Sequence, residues 1–218
     1  MKEGIDPGVN VSVKYISMLN GKANLILRNG PSKEVENAVE ILPFGRLTLK
    51  YGNWRDLSFL LKHKKKIIEL VVLENNCDWS VISDLTALRS LRIGGWFNTN
   101  LKFDKLENLV RLNTYHNKGY DDSLYSLPKL KFLKIIGWKG ENFEKMESLR
   151  RLEGVHLVDG RRLQSCNGLE NLQNLRYLEM YAMRNLVDAD SLGKSQVSCL
   201  KLECCKKIKE FNFTGLSP

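Results

Sequence analysis

The sequence predicts a strand-rich α/β solenoid of about eight stacked units, closed at its N-terminal end by a β-hairpin cap. Three observations carry that expectation. The pattern Leu-x-x-Leu-x-Leu recurs down the chain with aliphatic substitutes. Its middle apolar residues are spaced 23, 21, 21, 21, 22, 23 and 22 residues apart. Ahead of the first occurrence lie two strand-like stretches joined around Asn20-Gly21, a dipeptide suited to a tight turn.

Residues 1–43 are read as the cap. Val9, Val11 and Val13 alternate with polar residues in the stretch Val9 to Met18, as a half-buried strand should, and Ala23 to Leu27 supplies the returning strand. The array spans residues 44–218 and opens with Phe44, Leu47 and Leu49, then Ile67, Leu70 and Val72. Leu88, Leu91 and Ile93 follow, then Leu109 and Leu112 with Thr114 in the third slot. Leu130, Leu133 and Ile135, then Leu152, Val155 and Leu157, then Leu175, Leu178 and Met180 come next, and Val197, Leu200 and Leu202 close the series. In each unit the alternate apolar residues of a short strand point inward and stack on those of the next unit. A fully buried aliphatic side chain contributes roughly 1.5–3 kcal/mol, so several per unit drive stacking that one unit alone could not achieve. Asp56 to Lys62 is read as a short helix on the convex side of the first unit. Ile208, Phe211, Phe213 and Leu216 follow the last strand, so a truncated final unit either caps the open end or presents an edge to a second copy.

These units resemble the short leucine-rich repeats, about 22 residues long, of internalin-type and related bacterial proteins. The stretch Asp84-Leu-Thr-Ala-Leu-Arg-Ser-Leu91 shows the likeness, which covers about residues 44 to 216. The resemblance implies an asparagine or cysteine three residues after the last strand leucine, bonded to backbone in the turn. That slot holds Gly52, Asn75, Trp96, Asn117, Trp138, Gly160, Met183 and Cys205, so only Asn75, Asn117 and Cys205 obey. Trp96 and Trp138 sit in matching Ile-Gly-Gly-Trp and Ile-Ile-Gly-Trp contexts. They either fill space left by the absent asparagines or surface near the concave edge as binding anchors.

Composition narrows the function classes. At 43% hydrophobic and 27% charged over 218 residues, the chain reads as an ordinary soluble protein. No signal-peptide pattern or apolar run fit for a membrane span appears, which leads to the expectation of a cytoplasmic protein. The five cysteines, Cys77, Cys166, Cys199, Cys204 and Cys205, form no disulfide framework and no Cys-x-x-Cys pair, so neither a metal nor a cofactor is expected. The net charge of +9 is concentrated at the N-terminal end, with 12 basic against 6 acidic residues in 1–66. Lys62, His63, Lys64, Lys65 and Lys66 run together there, as a solvated exit from a helix or as an attraction for an acidic partner.

Alternation also specifies the face left open. Residues between the core leucines form a central column: Thr48, Val71, Arg92, Asn113, Lys134, His156, Glu179 and Lys201. The column before it holds Arg111, Phe132, Gly154 and Tyr177 in the middle units; the column after it holds Tyr115, Ile136, Val158 and Tyr181. Tyr115, Phe132, Ile136, Val158, Tyr177 and Tyr181 are expected to form an apolar and aromatic band, with Arg92, Arg111 and Lys134 along one side. Aromatic anchors beside arginine are the composition of an interface core. With His156, these residues are the candidate protein-binding site.

Catalysis is not expected. Of the three histidines, His63 lies in the basic run and His116 follows Tyr115 at a turn; His156 has Asp159 near it in sequence but no nucleophile in a predicted triad arrangement. Gly94-Gly95 lacks the lysine and hydroxyl of a phosphate loop. Nucleic acid suits the charge, but Glu69, Glu179 and Glu203 interrupt the face. The expected partner is therefore a protein with an acidic contact region, bound by a monomer. A compact repeat-only chain resembles bacterial leucine-rich-repeat immunity proteins that neutralise a cognate toxin; it also resembles effectors or adaptors that bind other cellular proteins.

Overall fold

The computed structural model describes residues 11–15, 23–73, 78–94, 101–116 and 122–208. The turn at Asn20-Gly21, the candidate anchor Trp96, and the C-terminal residues Phe211, Phe213 and Leu216 lie outside them.

Among the described residues, ten strands form one sheet in chain order. β1 (Val11–Tyr15) runs antiparallel to β2 (Ala23–Leu27), with Val11 opposite Leu27 and Tyr15 opposite Ala23. From β2 onward every pairing is parallel. The strands are β3 (Arg46–Leu49), β4 (Glu69–Val72), β5 (Ser90–Ile93), β6 (Arg111–Tyr115), β7 (Phe132–Ile136), β8 (Gly154–Val158), β9 (Tyr177–Tyr181) and β10 (Cys199–Glu203). Leu25 sits opposite Leu47, so the parallel ladder has one rung more than the eight read from the leucine pattern. The extra rung carries Lys22 where other units carry an aliphatic residue or phenylalanine, which hides it from that pattern.

The repeat spacing explains this topology. Parallel neighbours need a crossover, and here each crossover is short, returning through brief 3₁₀ turns such as Ser58–His63, Trp79–Asp84, Ser123–Ser126 and Leu169–Asn171. The first of these replaces the helix expected over Asp56 to Lys62, with the Asp56 carboxylate accepting from the Ser58 amide at 2.7 Å. Leu25, Leu47, Leu70, Leu91, Leu112, Leu133, Val155 and Leu178 stack as one buried column through the sheet. Parallel strands stacked this way, at a leucine period near 22 residues, make the fold a leucine-rich-repeat solenoid.

An α-helix precedes the third strand. α1 (Lys33–Ile41) starts where Ser32 accepts from the Val35 amide at 3.2 Å, and it buries Val35, Ala38 and Val39, an i, i+3, i+4 face. Lys66 answers its carbonyl end, donating to Val39 O at 2.7 Å and Glu40 O at 3.0 Å, with its ammonium 4.8 Å from the centre of the Phe44 ring. One lysine of the basic run thus joins the helix to the array. Lys62 lies 3.7 Å from Glu36 on the same helix.

A recurring backbone device ends the strands. Asn29, Tyr51, Gly137, Asp159, Ala182 and Cys204 each stand two residues past the last inward strand residue and all have positive φ. The Gly137, Asp159 and Ala182 amides donate to the next unit's Val158, Tyr181 and Glu203 carbonyls at 2.7–2.9 Å. The left-handed step thereby extends the ladder beyond the strand and turns the chain inward. Where the next residue is Trp138 or Met183 its side chain is buried in the core, which settles the tryptophan question for one of the pair. Trp138 is not an edge anchor: it is 1% exposed, tilted against Phe143 with ring centres 5.4 Å apart, and its indole N–H donates to the Tyr125 hydroxyl at 3.2 Å. Met183 occupies the equivalent slot and is also fully buried. Cys205, a residue that keeps the expected type, turns its thiol to the Met180 and Glu203 carbonyls at 3.8 and 3.4 Å.

Asparagines on the return segments do part of the joining that the missing turn asparagines would have done. Asn108, Asn174 and Asn185 donate to the Thr86, Arg150 and Arg161 carbonyls at 3.1, 2.7 and 2.7 Å, each one unit back.

Candidate protein-binding face

The strand register places the three predicted columns as expected. Arg92, Asn113, Lys134, His156, Glu179 and Lys201 are consecutive partners across β5 to β10. On one side of them run Arg111, Phe132, Gly154, Tyr177 and Cys199; on the other run Tyr115, Ile136, Val158, Tyr181 and Glu203. The apolar residues therefore do not form one band. Phe132 and Tyr177 are separated from Tyr115, Ile136, Val158 and Tyr181 by the polar central column.

A groove of ≈ 510 Å³ crosses this face from Arg46 on β3 to Cys199 and Lys201 on β10. It gathers Arg92, Arg111, Phe132, Lys134, His156 and Tyr177, six of the predicted binding residues. Tyr115, Ile136, Val158 and Tyr181 lie outside it, along the far edge of the sheet. Tyr177 and Tyr181 are 57% and 43% exposed, large values for aromatic side chains.

Gly154 shapes the groove floor. A Cβ there would meet Phe132 Cδ1 at 2.9 Å and Cε1 at 3.3 Å, so the ring lies over a gap that only glycine leaves. On its other side Phe132 carries Arg111, whose guanidinium carbon is 4.8 Å from the ring centre. Arg111 is exposed while Phe132 is half-buried. A planar cation resting on an aromatic face keeps its N–H edges open to an acceptor.

Charge divides the face into three zones. At the N-terminal end, Arg46 and Glu69 neutralise each other, with Nε and Nη2 both 3.0 Å from one carboxylate oxygen. At the C-terminal end, Glu179 meets Lys201 at 3.1 Å and His156 Nδ1 at 3.2 Å, and Lys201 also meets Glu203 at 3.0 Å. In the middle, among the described residues, Arg92, Arg111 and Lys134 have no carboxylate within ion-pair distance. These three cations lie on three adjacent strands.

Burial holds the His156 imidazole below its ordinary range, and the neighbouring Lys134 and Lys201 add to that against the opposing pull of Glu179. Glu179 is held below the usual carboxylate range, first by the Lys201 hydrogen bond. His156 is accordingly neutral at pH 7 and contacts Glu179 as an uncharged ring. The thiol of Cys199 projects from β10 while His156 projects from β8, two strands or about 10 Å apart, too far for the base to reach the sulfur. Buried Cys166 has its thiol pushed up to about 12 by desolvation. Among the described residues, no three His, Cys, Asp or Glu side chains group as metal ligands. No helix there is long and apolar enough to cross a membrane.

No protein-family model matches the sequence, and no curated protein matches it. Among solved structures, the chain is similar to the crystal structure of an internalin (inlF) from Listeria monocytogenes str. 4b F2365. Identity is 14%, 88% of this chain and 86% of that chain are covered, and the TM-score is 0.43. A likeness at this level says nothing of what this chain binds, and the fold rests on the strand ladder itself.

Sequence reasoning located the columns and missed what acts between them. Arg46 with Glu69, and Glu179 with Lys201, occupy matched positions one unit apart, so cross-strand pairing was readable once the register was fixed. The part played by Gly154 carried no such signal, because it depends on which way the Phe132 ring leans.

Proposed function

We propose that the chain is a non-enzymatic protein-binding solenoid that uses its concave face, and that its partner presents an acidic contact region. The observation that supports this best is the middle zone of that face. Arg92, Arg111 and Lys134 stand there without acidic partners beside a groove floored by Phe132, Gly154 and Tyr177. Interface cores combine aromatic residues and arginine in this way. Tyr115, Ile136, Val158 and Tyr181 extend the same surface towards the edge, and His156 lies between the two apolar rows. The paired carboxylates at both ends favour a compact acidic protein surface over a nucleic-acid backbone, which would need a longer positive track.

Within this class we propose a cytosolic immunity protein that neutralises a cognate toxin, acting as a monomer. The test is co-expression with each product of the neighbouring genes that kills cells when expressed alone. Cells should survive with the wild-type chain and die with Arg92, Arg111 and Lys134 changed to Gln. Survival that does not depend on this protein sinks the immunity reading. A stable complex insensitive to every concave-face substitution sinks the concave-face reading as well.

A further inference from the structure

The concave face holds a prepared subsite as well as a general charge. Arg111 is the cation of the middle zone whose posture a neighbour sets. Its guanidinium carbon lies over the Phe132 ring, 4.8 Å from the centre, and Phe132 is seated by the missing side chain at Gly154. Among the described residues, neither a hydrogen bond nor an ion pair occupies the N–H edges of the Arg111 side chain. Stacking uses the faces of the guanidinium plane, and carboxylate recognition uses its edges, so both can operate at once. Holding a long side chain in its binding posture beforehand reduces the entropy lost on association.

The surroundings say what should stand beside that carboxylate. At this position in the strands, the next unit offers Gly154 and the one after it Tyr177, 57% exposed. A Cβ on Gly154 would stand 3.7 Å from Tyr177 Cβ, so the gap at the glycine opens directly against the tyrosine. An acidic group at Arg111 therefore has an apolar shelf on one side, and Lys134 across from Phe132 in the central column. Towards β9 and β10 the positive charge ends, since Glu179 and Glu203 outnumber the Lys201 that pairs with both. A continuous polyanion crossing the groove would meet those carboxylates, whereas a short acidic segment with an apolar neighbour would not.

We propose that Arg111, positioned by Phe132 over Gly154, is a carboxylate receptor, and that the protein segment it takes carries an Asp or Glu next to an apolar side chain seated beside Tyr177. This rests on the concave-face reading above and narrows it to one anchor. Phe132 is the positioning residue and Arg111 the binding one.

The test is selection of phage-displayed random twelve-residue peptides on the full-length chain, with counter-selection on Arg111→Gln. Enriched peptides should share an Asp or Glu adjacent to an apolar residue, and their synthetic forms should bind at least about tenfold more weakly to Arg111→Gln, as for other lost charge-assisted hydrogen bonds. Changing the shared acid to its amide should cost a similar factor and add nothing to Arg111→Gln, because both remove one contact. Phe132→Leu should weaken binding, and Phe132→Tyr, which keeps the ring, should restore it. Circular dichroism melts identify any variant that fails to fold, in which case the peptide amide series carries the same test on the wild-type chain. Peptides without a shared acid, or none enriched over Arg111→Gln, overturn the subsite. Acid-independent binding lost in Tyr181→Ala overturns the subsite and leaves concave-face binding standing. Binding indifferent to Arg111, Phe132, Tyr177 and Tyr181 overturns both. Tight binding of a dT20 oligonucleotide, lost in Arg111→Gln, overturns the proposal in favour of a polyanion site.

Discussion

Arg111 and Phe132 face one another across the β6–β7 pair, with the guanidinium carbon 4.8 Å from the ring centre, and no carboxylate among the described residues competes for that cation. An exposed contact of this kind contributes about 0.5–1 kcal/mol. Arg111→Ala should therefore lower the thermal midpoint by no more than about 4 °C for a chain of this length, while Leu112→Ala, at the next position inward, should lower it several times further. Differential scanning calorimetry of the two variants separates a binding surface from a core. Equal losses would place Arg111 in the structural frame.

The exposed tyrosines make the complementary case. Tyr177 and Tyr181 flank the inward residues Leu178 and Met180 on the same strand yet are 57% and 43% exposed. Changing both to Ala removes little buried area, so the midpoint should stay within about 2 °C of wild type, in line with ordinary surface substitutions. Partner binding should fall by at least tenfold if they act as interface anchors, a loss of about 1.4 kcal/mol. A collapse of the fold instead would show that the tyrosines carry packing that their exposure does not suggest.

Much of this architecture was legible in the leucines. Alternation fixed which residues of each strand point inward, and a slip of one residue would have moved Arg92 and Lys134 into the core, where their charge is untenable. The central column could therefore be written down from the sequence. What escaped was whatever depended on side-chain direction or on a rung with an atypical first residue. Lys22 concealed the rung at Leu25 and Leu27 from the pattern. The helix over Lys33–Ile41 had readable signs in Ser32 and the Val35, Ala38, Val39 spacing, but the hairpin reading absorbed that stretch. The sequence leaves Trp138 open between filling space and surfacing at the edge, because the turn that aims it inward depends on the left-handed Gly137 before it.

That turn yields a stability prediction. Ala182 has φ of 61° and is almost buried, at the step where its amide bonds Glu203 O at 2.9 Å. A non-glycine residue in this region costs roughly 1–2 kcal/mol relative to its preferred conformations. Ala182→Gly relieves part of that cost, offset by the greater entropy of glycine in the unfolded chain. A net gain of about 0.5–1 kcal/mol is expected, seen as a higher urea midpoint with unchanged slope. The same exchange at Asp159 should gain less, because its carboxylate bonds the Arg161 Nε at 3.1 and 3.2 Å and a glycine would lose that contact.

The His156–Glu179–Lys201 row predicts a pH dependence whose sign is fixed. His156 is harder to protonate in the folded chain than in the unfolded one, chiefly through burial. As pH falls below the ordinary imidazole value of about 6.5, the unfolded state takes up the proton first, so stability falls. Glu179 acts in the same direction in a lower window: its carboxylate is held below the usual range, so its contribution is present above the ordinary glutamate value and is lost as pH falls through the folded one. His63, also lowered by burial, shares the upper window. Urea midpoints should therefore decline in two stages as pH drops from 7.5 to about 3, the first near the imidazole range and the second near the glutamate range. His156→Gln should shrink the first stage without removing it, leaving the share of His63, and Glu179→Gln should reduce the second. The two substitutions should not add independently, since the imidazole and carboxylate lie 3.2 Å apart and each alters the field in which the other titrates. A first stage unchanged in His156→Gln would mean that the ring is as free to take a proton in the folded chain as in the unfolded one, and that its contact with Glu179 offsets burial and the two lysines.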